Sequence, residues 1–299
     1  MPVQRYQYFS PTDAARMGKL QLVARQVVEG VITGLHKSPH RGFSVEFSEH
    51  REYVPGDELR HLDWQAYARS DRYYIKLYEQ ETNLRACIVI DTSNSMRFGG
   101  SGKTGGTPKI DYARHLAACI AYILANQQDM VGLVAVDSQV RLELPGGSSP
   151  AHLDRLFREL EVLQAGDTTG LPQGLHQLAE RLPRRSMLIL ISDLWTEPEQ
   201  LSRALQHLRY RRHEALVIHL LDHAEMELPY DRQVTLEDLE TKERIQIDPA
   251  DLRDVYKQHV GGYLSLVRRV CSNCDMEYHT MSVQQPYDKA IIALINRRA

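Results

Sequence analysis

The sequence predicts an α/β fold, a mostly parallel, Rossmann-like sheet with helices on both faces, and three observations carry that expectation. After Asn83, short apolar runs alternate with amphipathic stretches, the pattern of strand and crossover helix. The longest runs, such as RACIVIDT and SMLILISD, look like strands buried inside a sheet. Acidic and hydroxyl residues gather where these runs end, which is where parallel sheets present loops to ligands.

Taken in order, Leu20, Val23, Val27, Val28 and Val31 stand at helical spacing and predict a helix over 20–33 that stops near Gly34. Residues 36–79 are polar and aromatic, punctuated by Pro55-Gly56. Asp57 with Arg60, and Asp63 with Arg69, would be costly to bury unpaired, so the block over 42–79 reads as an internal ion-pair network rather than a partner surface. The expected division is therefore an N-terminal segment, 1–83, packed on a main domain, 84–299. In that domain the strands are RACIVIDT, MVGLVAVD with QVRLEL after it, SMLILISD, HEALVIHLLD and MEYHTM. Thr107 and Pro108 offer an N-cap and a first-turn proline to a helix carrying Ile110, Ala113, Leu116, Ile120 and Ile123. Further helices are expected over 151–163, 171–182, 197–208, 249–271 and 286–296, and VTLEDLETKERIQID predicts a small inserted hairpin.

Composition narrows the function classes. The chain has 299 residues, 25% charged and 42% apolar, a globular balance that argues against long disorder. A formal net charge of -3 provides no whole-protein attraction to nucleic acid or an anionic membrane. Between Leu35 and Gln80 seven Lys and Arg face eight Asp and Glu, so the aromatic residues there lack a basic footprint, and no nucleic-acid partner is expected. No apolar stretch reaches the roughly 18 residues of a membrane span, and the N-terminus has no secretory h-region. Cys87 in a strand and Cys119 on an apolar helix face suit buried thiols in a reducing compartment, so a cytoplasmic protein without a membrane span is expected.

The chemistry concentrates in Asp91-Thr92-Ser93-Asn94-Ser95, where one carboxylate and two hydroxyls alternate at a strand end. Such hard oxygens suit Mg²⁺ or Mn²⁺, which keep several waters, better than zinc. Taken alone, the same residues suit a turn and a cap. Gly102-Lys103-Thr104 imitates the end of a phosphate-binding loop, but the required first glycine falls at Arg97 and Gly105-Gly106 follow where a helix should begin. Cys271 and Cys274, with His279 nearby, have redox or zinc spacing, yet they sit at a helix end, where the dipole disfavours thiolate. No nucleophile with an evident base is visible, so no catalytic residue is assigned.

DTSNS resembles the Asp-x-Ser-x-Ser element of the metal-ion-dependent adhesion site in von Willebrand factor A domains. That resemblance implies a threonine from a second loop, found in GDTTGLPQGL, and an aspartate at a later strand end, found in LILISDLW. The implied metal set is Asp91, Ser93, Ser95, Thr169 and Asp193, with Thr168 nearly interchangeable with Thr169. The run GFSVEFSEHREYVPGDELRHLDWQAYARSDRYYIKLYEQE, directly before the first such strand, is similar to the bacterial family catalogued as domain of unknown function fifty-eight. The residues that carry the likeness include Glu46, Arg51, Gly56, Asp57, Asp63, Trp64 and Arg69. This resemblance implies a MoxR-type AAA ATPase and a client protein as partners. The expected function is a divalent-cation-dependent protein-binding adaptor acting in chaperone-like maturation of client complexes, and not an enzyme. The alternative is a metal-dependent hydrolase of a phosphoester or nucleotide, using water activated by the same ion.

Overall fold

The computed structural model describes residues 20, 23–25, 27–29, 31, 50–52, 73–76, 85–99, 107–166, 170–230, 232–238 and 243–296. Contacts divide the chain into two units, one formed by 1–33 with 84–299 and the other by 34–83. In the smaller unit an antiparallel ribbon is described, β1 (His50–Glu52) on β2 (Tyr74–Lys76), with Arg51 opposite Ile75. The rest of the charged block, with the ion pairs expected in it, lies outside the described residues.

The larger unit is organised by six strands: β3 (Arg85–Asp91), β4 (Met130–Val136), β5 (Val140–Gly147), β6 (Met187–Ser192), β7 (Glu214–Leu221) and β10 (Glu277–Ser282). Their spatial order is β10-β7-β6-β3-β4-β5, every pairing parallel except β4 with β5. The expected α/β sheet is thus present. Its central strands are buried on both faces, Cys87 and Val89 toward one side and Ile88 and Ile90 toward the other.

Helix α1 (Lys109–Asn126) covers one face with Ile110, Ala113, Leu116, Ala117 and Ile120. Its start differs from expectation. Pro108 occupies the cap position and no side chain caps the helix, so Thr107 is not the N-cap. The Lys109 amide is satisfied instead by the Phe98 carbonyl at 3.0 Å, which ties the helix start to the loop after β3. Helix α2 (Pro150–Val162) is capped by Ser149, whose hydroxyl accepts from the His152 amide at 3.2 Å.

On the opposite face, α3 (Leu171–Arg181) and α4 (Pro198–Tyr210) join the core through Leu175, Leu178, Leu201 and Leu205. A Cβ at Gly174 would lie 2.1 Å from Val136 Cγ2 and 2.4 Å from the Asp137 carbonyl oxygen. That glycine is what lets α3 approach the end of β4.

After β7 comes a short helix that the periodicity did not reveal, α5 (His223–Glu227), set by a capping box between Asp222 and Glu225. The expected hairpin is next, as β8 (Val234–Glu237) paired antiparallel with β9 (Arg244–Ile247). Then come α6 (Pro249–Asn273) and, after β10, α7 (Tyr287–Asn296). Cys271 and Cys274 are buried free thiols at the end of α6, and burial pushes Cys271 up to about 12, far from thiolate chemistry at neutral pH.

The described helical residues before residue 34 bury Leu20, Ala24, Val28 and Val31. The Leu20 amide donates to Glu161 Oε1 at 3.1 Å, and the Tyr122 hydroxyl to Glu29 Oε1 at 3.4 Å. These contacts reach α2 and α1, and the limits of the smaller unit fall at 33/34 and at 83/84.

Candidate metal centre

β3 lies between β4, reached through α1, and β6, which returns on its other side. This reversal of strand order leaves a crevice at the carboxyl ends, where open α/β sheets bind ligands. Asp91 ends β3 and Asp193 follows β6, each 2% exposed or less. Asp91 Oδ1 accepts from the Ser93 amide at 2.8 Å, and Oδ2 accepts from the Ser192 hydroxyl at 2.5 Å. Ser192 Oγ in turn accepts from the Leu194 amide at 2.8 Å, fastening the third loop to the first.

Thr92 faces the other way. Its amide and hydroxyl donate to the Val136 carbonyl at 2.8 and 3.2 Å. A single 3-10 turn, Asn94–Arg97, then brings Ser95 back beside Ser93, with the two hydroxyl oxygens 3.0 Å apart. The alternation seen in the sequence is therefore an alternation of direction. Arg97 donates to the Ala165 carbonyl at 3.1 and 2.7 Å, and the Gly166 amide donates to the Thr92 carbonyl at 2.7 Å. The second loop is thus held against the first at residues 165–166. Thr168 and Thr169 lie outside the described residues.

Electrostatics give the crevice its character. Burial, followed by the like charge of Asp193, pushes the Asp91 carboxyl up to about 7, against the hydrogen bonds from Ser192 and Ser93. Two carboxylates this close call for a cation. One is built in: the Lys109 ammonium, fully buried, donates to Asp193 Oδ2 at 2.6 Å and to Glu225 Oε1 at 2.5 Å. Burial alone would lower the Lys109 ammonium, but Asp193 and Glu225 outweigh it and hold it above its usual value, hence charged.

Among the described residues no three His, Cys, Asp or Glu side chains form a metal cage. Thiolate and imidazole ligands, which a soft metal would call for, are not gathered here among the described residues. The donor set that does converge, a carboxylate with two serine hydroxyls and a second carboxylate nearby, fits a hard divalent cation that keeps part of its water.

The structure brings Asp91, Ser93 and Ser95 together and sets Asp193 at the adjacent strand end. Sequence reasoning missed Lys109, Ser192 and Glu225. A signal existed for two of them: Lys109 precedes Ala113 and Leu116 on an apolar helix stripe, and Asp222 with Glu225 has capping-box spacing. Asp137 was also missed, although it follows β4 as Asp91 closes β3. Its Oδ2 accepts from Arg141 Nε at 2.7 Å and its Oδ1 from the Gln139 amide at 2.9 Å.

Sheet order, flanking helices and this loop cluster place the chain in the von Willebrand factor A-like class of α/β proteins. Residues 49–261 match the family described as Protein of unknown function DUF58, and the chain belongs to that family. It is 27% identical over 298 residues to Uncharacterized protein Rv1480 of Mycobacterium tuberculosis and Uncharacterized protein Mb1516 of Mycobacterium bovis, covering 96% of this chain and 90% of theirs. Similar solved structures include BatB from Bacteroides thetaiotaomicron, with TM-score 0.46 and 13% identity over 72% of this chain and 98% of that one. An aerotolerance-related membrane protein from Bacteroides fragilis gives TM-score 0.48 and 12% identity over 71% and 97%. The SpRpn10 VWA domain gives TM-score 0.42 and 13% identity over 70% and 94%. Among the described residues no helix is long and apolar enough to cross a membrane.

Proposed function

We propose that the chain is a divalent-cation-dependent, cytoplasmic protein-binding adaptor and not an enzyme. The observation that supports this reading is the pair of buried carboxylates, Asp91 and Asp193, beside the Ser93 and Ser95 hydroxyls at a strand-order reversal. Asp91, Ser93 and Ser95 would hold Mg²⁺ or Mn²⁺, with Asp193 and, from the second loop, Thr169 completing the set. Bound there, the ion would supply positive charge and an open position for a partner's carboxylate.

The chain's own residues hold that arrangement ready. Ser192 fixes the Asp91 carboxylate, the 3-10 turn aligns the two serines, and Lys109 holds Asp193 in place. To this reading we add, as what the resemblance noted in the sequence implies, a MoxR-type AAA ATPase and a client protein, with maturation of client complexes as the shared task.

Capture of a purified MoxR-type AAA ATPase by wild type, by wild type in chelator and by Asp91→Ala tests the proposal. Losing one charged contact at a partly desolvated interface costs about 2–5 kcal/mol, so capture should fall more than tenfold in the last two. Unchanged capture, together with cation-dependent phosphoester or nucleotide turnover that Asp91→Ala abolishes, would replace the adaptor with a metal-dependent hydrolase.

A further inference from the structure

Glu225 also lines an open cleft of about 530 Å³, together with Trp195, Tyr256, His259, Val260 and Tyr263. That volume is within the usual range for ligand sites. The walls are aromatic, and their polar ends are turned inward. The Tyr263 hydroxyl, with one proton to donate, lies 2.5 and 2.8 Å from the carbonyl oxygens of Leu194 and Thr196, and the Tyr256 hydroxyl donates to the Glu225 carbonyl at 2.6 Å. Trp195 stacks on Tyr263 with centroids 5.0 Å apart, and its indole N–H donates to Glu225 Oε1 at 3.1 Å. With these hydroxyls and the indole N–H engaged, the rings line the cleft chiefly with apolar surface.

The charge balance of the buried cluster that includes Glu225 is uneven. One ammonium, Lys109, stands between two carboxylates, Asp193 and Glu225, and leaves one negative charge over. Lys109 and Asp193 side chains are 0% and 1% exposed, whereas Glu225 keeps 13%. Within this cluster the surplus charge therefore reaches solvent mainly at the Glu225 edge, and Glu225 is a cleft residue. Aromatic faces beside a carboxylate that keeps a solvent edge, although Lys109, Trp195 and the Asp222 amide also bind it, make a receptor for an organic cation. A guanidinium suits it better than an ammonium, because it is planar, weakly hydrated and stacks on rings.

We propose that this cleft binds an arginine side chain of a partner protein, held against its aromatic wall, with Tyr256 contributing a ring face, and paired with Glu225. The cleft residues are not those assigned to the divalent cation, although Lys109 joins Glu225 to Asp193, so a partner would be read at two neighbouring points.

The chain has two tryptophans, so indole-¹⁵N labelling yields two N–H resonances, and Trp64→Phe assigns the one from Trp195. Titration is made in chelator, with N-acetyl-Gly-Arg-Gly-amide against the same peptide carrying neutral, isosteric citrulline. The arginine peptide should shift the Trp195 resonance saturably and the citrulline peptide should not. Tyr256→Leu, folded with an unchanged thermal midpoint, should weaken the arginine peptide about two- to thirtyfold. Absence of a saturable shift, an equal response to citrulline, or undiminished affinity in folded Tyr256→Leu would each overturn the proposal. Tighter binding of free butylguanidinium than of the peptide would make this a small-molecule site and overturn the docking assignment. Because no metal is present, none of these outcomes bears on cation binding at Asp91.

Discussion

At the scale of single residues, burial acts in opposite directions on Asp91 and His219. Asp91 is raised from 3.8 to about 7 by burial and then by Asp193, so the folded protein holds a proton there that the unfolded chain has released. Its contribution is fully present below the ordinary value and is lost as pH rises through about 7. His219, whose Nδ1 lies 2.7 Å from the Tyr278 hydroxyl, is lowered from 6.5 to about 4, chiefly by burial. Its contribution is present above 6.5 and is lost as pH falls toward 4. In chelator the two slopes oppose each other between these values. Denaturant unfolding of Asp91→Asn should therefore show stability falling on acidification from about pH 6.5 to 5, more steeply than wild type. Parallel profiles for the two proteins would contradict the burial of Asp91 as a proton-holding group.

At the scale of elements, two glycines make opposite predictions. Gly174 sits where α3 presses on the end of β4, and a methyl there would meet Val136 and the Asp137 carbonyl oxygen at under 2.5 Å. Gly174→Ala should cost about 1–3 kcal/mol, since overpacking moves a backbone that cannot yield cheaply. Gly262, in the 25-residue α6, has nothing within 4 Å of an added Cβ. Gly262→Ala should stabilise by about 1 kcal/mol through helix propensity alone. Both are read from denaturant midpoints, and equal effects of one sign would refute the packing of α3. The same comparison explains why α3 was legible and its closeness to β4 was not. Leu171, Leu175 and Leu178 announce a helix stripe, but the depth at which it packs depends on what lies opposite.

At the scale of the whole molecule, the helical residues before residue 34 join the main body across more than a hundred residues of chain, as Leu20 with Glu161 illustrates. Val28 is 1% exposed, so Val28→Ala should lower the stability of the main unit by about 2 kcal/mol. Thermal unfolding followed on the core should move with it. A midpoint that stays in place would mean the helix is an appendage. Composition placed the boundary at 83/84 because the strand–helix alternation starts there. It could not show that the first helix belongs with the six-stranded unit, since an amphipathic stripe says that a face is buried and not where.

The order of strands and helices after Asn83, short α5 apart, the inserted hairpin and the alternation of Asp91, Ser93 and Ser95 were determined by sequence, because periodicity and short turn chemistry act between near neighbours. Tertiary structure alone decided the charge relations of the site. Lys109 meets Asp193 and Glu225 over separations of 84 and 116 residues, and Ser192 reaches Asp91 over 101. Those partners are set by which strand returns beside β3 and by how deeply α1 starts in the sheet. Both depend on packing of the whole sheet, whose free energy no local pattern carries.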